Sequence, residues 1–280
     1  MTQSADPASY ELAEFYDAID DQHPHHQKEF DFLAGVFDRF EHRRIRRILD
    51  LACGTGPHSI FLASKGYEVV GLDLSGKMLE IAIRKAQAAG HQVQDRIQFV
   101  EGDVLSLNFD EEFDAVICIG QTTMILTRLE EISRMFSGVY RSLRPGGLFV
   151  VDFLSWYKKG SFTGATNARL GDREIRIENE ETFDPIRQML HHKSRYFVTE
   201  HGRTTLYEGY GRDRIFFPQE MLIYLTEIGG FQVQSLYDCW NLDKEPENDY
   251  LVFVVRKPER RPLTLEGRHN SRTLHSESHP

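Results

Sequence analysis

The sequence predicts an α/β fold: a doubly wound, mostly parallel sheet. Three observations predict it. Between about residues 45 and 153 the pattern alternates strictly between strand and helix, the grammar of a sheet covered on both faces. The runs EVVGL, DAVICIG and LFVVDF are almost continuously apolar, as strands buried on two faces must be. The chain has 280 residues, of which 40% are hydrophobic and 11% aromatic, enough to build a large core.

Taken in order, residues 8–22 and 26–43 read as helices. Leu12, Phe15, Tyr16 and Ile19 share one face of the first, and Phe30, Leu33, Phe37 and Phe40 one face of the second. A strand follows over Arg47–Ala52, a helix over Pro57–Lys65, a strand over Tyr67–Leu72 and a helix over Gly76–Ala89. Ile97–Val100 and Phe113–Ile119 are strands, Leu129–Leu143 a helix and Gly147–Phe153 a strand, the last launched by the turn Arg144-Pro145-Gly146-Gly147.

Beyond Trp156 the grammar changes. EIRIENEETF, QMLHHKSRYFVTE and TTLYEGYGRDRIFF alternate apolar and polar residues, with turns at Asp184-Pro185 and His201-Gly202. They predict a small inserted antiparallel sheet. Pro218–Ile228 returns to helix, closed by Gly229-Gly230, and Phe231–Trp240 with Asp249–Arg256 form a terminal hairpin. The expected organisation is an N-terminal helical segment over 1–44, a core over 45–157 and 214–257, an insert over 158–213 and a disordered tail over 258–280.

Composition narrows the function. The net charge of -10 provides no general basic field for nucleic acid, so a nucleic-acid partner is disfavoured. Arg43, Arg44, Arg46 and Arg47 read as a solvated helix end. No apolar run approaches membrane-span length, and the acidic N-terminus lacks the order of a signal peptide. Cys53, Cys118 and Cys239 are too far apart for a disulfide framework or zinc knuckle, so the expected setting is the cytoplasm. His23-Pro24-His25-His26 reads as a turn; no metal site is expected.

The chemistry concentrates at Asp50-Leu-Ala-Cys-Gly-Thr-Gly56, which joins the first strand to the following helix. In an open parallel sheet, ligands collect beyond the carboxyl ends of the strands. Gly54 and Gly56 allow the backbone to approach such a ligand. Asp73 ends the second strand nineteen positions after Gly54, where a carboxylate can accept both ribose hydroxyls. A dinucleotide fingerprint wants a third glycine, but His58 and Ser59 occupy the region after Gly56. Asp50 would repel a pyrophosphate and attract an ammonium. These residues suit a nucleoside cofactor with an amino-acid end and no phosphate.

This segment, with Gly71-Leu-Asp73-Leu-Ser75, Glu101-Gly-Asp103-Val104, Phe113-Asp-Ala-Val-Ile117 and Leu143-Arg-Pro-Gly-Gly147, resembles the class I S-adenosylmethionine-dependent methyltransferases. The resemblance covers about residues 45–153 and extends to the last two strands, implying a Rossmann-like sheet of seven strands. It implies S-adenosylmethionine as cofactor, bound by Asp50, Ala52, Gly54, Gly56, Asp73, Leu74, Met78, Asp103, Val104, Ile119, Gly120 and Gln121. It also implies that residues 1–44 fold over the cofactor as a lid.

The wider layout resembles small-molecule N-methyltransferases of the glycine and amino-sugar kinds. Tyr10, Tyr16, Phe153, Trp156, Tyr157, Tyr210 and Arg212 are the expected acceptor contacts, and Tyr16, Gln121 and Tyr157 the candidates for orienting the acceptor or taking its proton. The expected function is methyl transfer to a small-molecule acceptor, with amine nitrogen favoured over oxygen. A tRNA or protein acceptor, or binding without turnover, are the alternatives, and a homodimer is possible.

Overall fold

A computed structural model describes residues 12–20, 26–40, 44–155, 161–244, 247 and 250–259. The reading of 258–280 as a tail, the His23-Pro24-His25 turn, Arg43 and the candidate residues Tyr10, Trp156 and Tyr157 lie wholly or largely outside them.

Seven strands form the main sheet: β1 (Arg47–Leu51), β2 (Glu68–Asp73), β3 (Ile97–Glu101), β4 (Phe113–Cys118), β5 (Leu143–Leu154), β10 (Gln232–Asp238) and β11 (Tyr250–Arg256). Their order is β10-β11-β5-β4-β1-β2-β3. β1 to β5 are parallel, while β11 runs antiparallel to both β5 and β10. The predicted fold class is the one observed. The chain winds from β1 outward to β3, then crosses back to β4, so a topological switch point lies between β1 and β4. That is where such a sheet opens a crevice.

Apart from a single turn over His91–Gln94, the α-helices among the described residues are α1 (Tyr16–Asp20), α2 (His26–Phe40), α3 (Pro57–Ser64), α4 (Gly76–Ala88), α5 (Leu129–Ser142) and α6 (Pro218–Ile223), with α6 continuing as a wider turn over Tyr224–Ile228. Ser75 caps α4 by accepting the Met78 amide at 3.3 Å. Side chains of alternating strand positions divide into two cores. Leu49, Val116, Phe149, Val151, Phe153 and Phe253 pack with Met135, Phe136 and Val139 of α5. Ile48, Ile117, Val150 and Val252 pack on the other face with Phe32, Leu33 and Val36 of α2. Such burial contributes on the order of 2 kcal/mol for each large apolar side chain.

The expected turn at Arg144–Gly147 is instead a bulge within β5. Leu143 already pairs with Phe113, and the register resumes at Ala115 with Leu148. The intervening residues leave the ladder because β4 has too few residues to match them.

The inserted sheet has four strands: β6 (Ser161–Leu170), β7 (Arg173–Asp184), β8 (Met189–Glu200) and β9 (Arg203–Arg214), paired antiparallel in that order. β6 was not among the expected strands. Its two faces differ in kind. One carries a ladder of ion pairs, including Arg195 with Glu180 and Lys193 with Glu208. The other packs Ile175, Ile177 and Tyr196 against Leu12 and Phe15 of the N-terminal segment. Farther along, the same face packs Phe183, Leu190 and Ile215 on Met124, which follows β4.

Candidate functional site at the carboxyl edge of the sheet

The turn after β1 is held open by backbone conformations that few side chains tolerate. Ala52, Gly54 and Gly56 have φ of 54°, 56° and 77°, and across the switch point Gly120 and Gln121 have 93° and 63°. The glycines adopt this conformation freely, but Ala52 and Gln121, one in each loop, do so at a cost that folded proteins tend to keep for binding sites. A Cβ added to Gly54 or to Gly120 would meet no atom within 4 Å, so both glycines border free space. Gly56 differs: its Cβ would press on Ala82 and Phe99 at 3.0 and 3.1 Å, so it serves helix packing.

Asp73 links the loops. Its Oδ2 accepts the Gly54 amide and its Oδ1 the Ser75 amide, both at 2.8 Å. The side chain is buried, and burial raises its pKa while the amides oppose the rise. Leu74 beside it is 53% exposed, an apolar surface left uncovered next to the acid. Asp103 caps the turn Val104–Ser106 by accepting the Leu105 amide at 2.9 Å, with Val104 buried behind it. Met78 and Ile119 are buried at the same edge.

Asp50 faces inward from β1 and accepts the Ser59 hydroxyl at 2.7 Å. Burial raises its pKa, and the His58 imidazole is the largest opposing influence. His58 Nε2 in turn lies 2.9 Å from Glu29 Oε2 on α2, with both side chains nearly buried. Sequence reasoning missed this chain of groups, because Glu29 and His58 are far apart in sequence and each resembles an ordinary helix residue.

A second missed residue is Asp152 on β5. It is fully buried and accepts the amides of Gly120 at 3.0 Å and Gln121 at 3.0 and 3.1 Å, as well as the Tyr250 hydroxyl. Burial pushes it up to about 6 despite these three donors. Asp152 thereby fixes the left-handed Gly120–Gln121 backbone. The signal was present as a lone acid inside the apolar run LFVVDF.

The N-terminal segment reaches the same edge. Asp17 on α1 accepts the Thr55 hydroxyl at 2.6 Å and pairs with Lys85 Nζ at 2.9 Å. Thr55 belongs to the glycine turn and Lys85 to α4, so an N-terminal helix, the glycine turn and a core helix share one polar knot. Glu14 is bonded to Arg173, which ties the segment to the inserted sheet as well.

Three expected acceptor contacts are corrected. Phe153 is fully buried and stacks on Phe253 with ring centroids 5.7 Å apart, so it belongs to the core. Its neighbour Asp152 faces the opposite side, toward the site, because strand side chains alternate. Tyr210 is 61% exposed and lies over Lys193 on the ion-paired face of the inserted sheet; Arg212 shares that face by the same alternation. Tyr16 is 43% exposed at the start of α1, and Gln121 lies at the strained turn described above.

A hollow of about 920 Å³ lined by Arg47, Glu68, Arg96 and Gln98 lies at the amino ends of β1 to β3, remote from this constellation. Among the described residues there is no cluster of three or more His, Cys, Asp or Glu placed to hold a metal ion, and no helix long and apolar enough to cross a membrane.

Residues 48–147 match the family model for a methyltransferase domain. A Bacillus subtilis (strain 168) protein, YqeM, which carries a provisional methyltransferase name, is 40% identical over 113 residues, or 40% of this chain and 44% of that one. The dTDP-4-amino-2,3,4,6-tetradeoxy-D-glucose N,N-dimethyltransferase of Saccharopolyspora spinosa is 30% identical over 169 residues, covering 58% of this chain and 63% of that enzyme. The chain thus spans less than two thirds of the length of each. In fold, it is similar to an S-adenosylmethionine-dependent methyltransferase from Clostridium acetobutylicum ATCC 824, with a TM-score of 0.74, 22% identity and coverage of 90% and 99% of the two chains.

Proposed function

We propose that the chain, whose residues 48–147 match a methyltransferase domain, acts as a class I S-adenosylmethionine-dependent methyltransferase and methylates a small-molecule acceptor at an amine nitrogen. The observation that carries the reading is the cradle between Gly54 and Gly120, open on both sides and bordered by the buried acids Asp50, Asp73 and Asp152.

The residues present fit the cofactor. The space that a Cβ would fill at Gly54 and Gly120 is free, and Ser155 Oγ, buried just beyond β5, has no hydrogen-bond partner. Asp73 would hold the ribose, Leu74 and Val104 would flank the adenine with Asp103 at its edge, and Gly54, Gly120 and Gln121 would border the methionine end. Ala52, Gly56, Met78 and Ile119 support those loops. Asp50 supplies negative charge for an ammonium.

When bound, S-adenosylmethionine supplies a methyl group made electrophilic by a sulfonium. The chain then has to align an acceptor, exclude water and leave the acceptor nitrogen unprotonated. The N-terminal segment and the inserted sheet are suited to exclude water because they pack on each other and reach the cradle through Asp17 and Met124. The Saccharopolyspora relative acts on an amino sugar by its name, and that favours nitrogen as the acceptor here.

Two measurements test the proposal. Calorimetry should show S-adenosylhomocysteine binding that Asp73→Ala weakens strongly. Transfer of labelled methyl should then be found to a small amine, with dTDP-4-amino-2,3,4,6-tetradeoxy-D-glucose and glycine as first acceptors, and not to bulk tRNA. Transfer to tRNA alone would overturn the acceptor class; binding of a nicotinamide dinucleotide in place of S-adenosylhomocysteine would overturn the cofactor.

A further inference from the structure

Strand register assigns each residue of the inserted sheet to one of its two faces. Asn179 pairs with Ser194, Glu181 with His192, and Ser194 and His192 with Gly209 and Gly211 on the next strand. These residues share the face that carries Ile175, Ile177 and Tyr196 at one end and Phe183 and Leu190 at the other. One apolar end rests on the N-terminal segment, which reaches the glycine turn through Asp17 and Thr55. The other rests on Met124, three residues beyond Gln121. The polar band therefore spans between the two loops of the cradle.

That band holds chemistry that folding alone does not require. Asn179 Oδ1 is buried with no hydrogen-bond partner, an arrangement that costs about 1–3 kcal/mol unless something donates to it. His192 Nδ1 lies 3.5 Å from Asp213 Oδ2, with about a fifth of each side chain exposed. Burial pushes the Asp213 carboxyl up, and the Glu181 carboxylate raises it further while His192 opposes. A Cβ on Gly211 would collide with the His192 ring, so that glycine is what lets the imidazole lie across the strand. The band is rich in acceptors and negative charge, and the strand positions that form it among the described residues carry no lysine or arginine. The ligand complementary to it is a cation bearing N–H donors.

We propose that Asn179, Glu181, His192 and Asp213 form the acceptor subsite, that its ligand is a small molecule with a protonated amine, and that His192 takes the proton. The proposal rests on the methyltransferase reading above and assigns it an acceptor site. Asp213 facing Nδ1 favours the tautomer that leaves Nε2 with a lone pair. An ammonium held by the carboxylates gives one proton to Nε2, freeing the nitrogen lone pair. As the nitrogen–carbon bond forms, the carbon–sulfur bond breaks and its electron pair stays on sulfur, which becomes a neutral thioether. The imidazolium then returns its proton to solvent through its exposed edge.

The test uses the full chain with S-adenosylhomocysteine and two matched probes, cyclohexylamine and cyclohexanol. Binding is followed by NMR of the histidine rings, with the His192 signal identified by its loss in His192→Gln. The amine should bind and shift the His192 signal, and the alcohol should not. Glu181→Gln with Asp213→Asn should weaken the amine about tenfold or more, since each removes a charge partner. Arg212→Ala, on the opposite face, should leave amine binding unchanged. His192→Gln should lower kcat for an amine acceptor at neutral pH and recover as rising pH deprotonates the amine. Equal binding of amine and alcohol, an amine response that leaves His192 unmoved, or an unaffected carboxylate double variant would overturn the proposal. S-adenosylhomocysteine binding measured on the same samples keeps the two readings apart: its loss in the unmodified chain defeats the cofactor assignment, whereas its retention without amine preference defeats only the subsite.

Discussion

Asp152→Asn tests whether burial or hydrogen bonding governs the residue that fixes the Gly120–Gln121 turn. Two amides and a hydroxyl donate to this carboxyl and favour its ionised form, while complete burial favours the neutral one. Burial wins, moving it from 3.8 to about 6. A carboxyl whose folded pKa is raised binds its proton more tightly in the folded chain than in the unfolded one. Its contribution to stability is therefore greatest below the ordinary carboxylate range and is lost as pH rises toward 6. A shift of about two units at 1.36 kcal/mol each gives a loss of about 3 kcal/mol.

Asparagine cannot titrate. The stability of the natural chain minus that of Asp152→Asn should consequently fall by roughly 2 kcal/mol between pH 4 and pH 7, most of that total. Asp50 and Asp73, whose pKa values are also raised by burial, titrate in both proteins and cancel to first order in the difference. Urea unfolding at closely spaced pH values supplies the measurement, with a constant m-value as the check on two-state behaviour. A difference that is flat across this window, or that grows as pH rises, would show that the three donors outweigh burial and would refute the reasoning.

Three further outcomes are expected. Gly120→Ala keeps a left-handed φ of 93° that alanine resists, so thermal melting should register a loss of about 1 kcal/mol; S-adenosylhomocysteine affinity, read by calorimetry, should fall further because the new methyl enters the cradle. Gly71→Ala sets a Cβ at 2.8 Å from Phe99 and 2.9 Å from Ser59 Oγ, and overpacking of this kind should cost about 1–3 kcal/mol in urea unfolding. Asp17→Ala removes the Thr55 bond and the Lys85 pair; because both charged partners are about a third exposed, the stability change should stay near 1 kcal/mol or less, while hydrogen exchange of residues 13–20 should accelerate clearly. Unchanged exchange there would mean that the apolar contacts of Leu12 and Phe15 alone hold the segment.

The main sheet was legible because doubly covered strands must be apolar throughout, and EVVGL, DAVICIG and LFVVDF have no other reading in an alternating chain. The strand β6 was not legible. SFTGATNARL mixes Ser, Gly, Ala and Asn without alternation, as an edge strand paired on one side can. The errors at the site were errors of parity. Phe153 looked like a pocket aromatic, but the acid before it faces the site. Tyr210 and Arg212 looked like ligands, but Gly211 and Asp213 between and beside them share the inner face with His192. A one-residue slip exchanges the two faces of a strand, and nothing in a mixed run such as YEGYGRDR fixes which face is covered. Residues joined only in space, such as Glu29 with His58 or Asp17 with Lys85, leave no mark in local sequence at all.

The buried charges of the site follow a single electrostatic logic. Asp50 and Asp152 lie on the same face of the sheet, on strands either side of β4, and the nearby Glu29 raises the pKa of Asp152. Glu29 and Asp50 thus converge on one imidazole, His58, and Asp152 joins them through Glu29, in surroundings that strip away water. Such an arrangement is costly in isolation, since each unpaired buried charge carries a desolvation penalty of several kcal/mol. The penalty is offset when a cation enters. A donor with both an ammonium and a sulfonium brings two positive groups, and methyl transfer removes the sulfonium charge while leaving the ammonium. The field that draws the donor in therefore holds the spent thioether less strongly. Under the proposed function, the same acids would favour exchange of the neutral thioether product for fresh donor after each turnover.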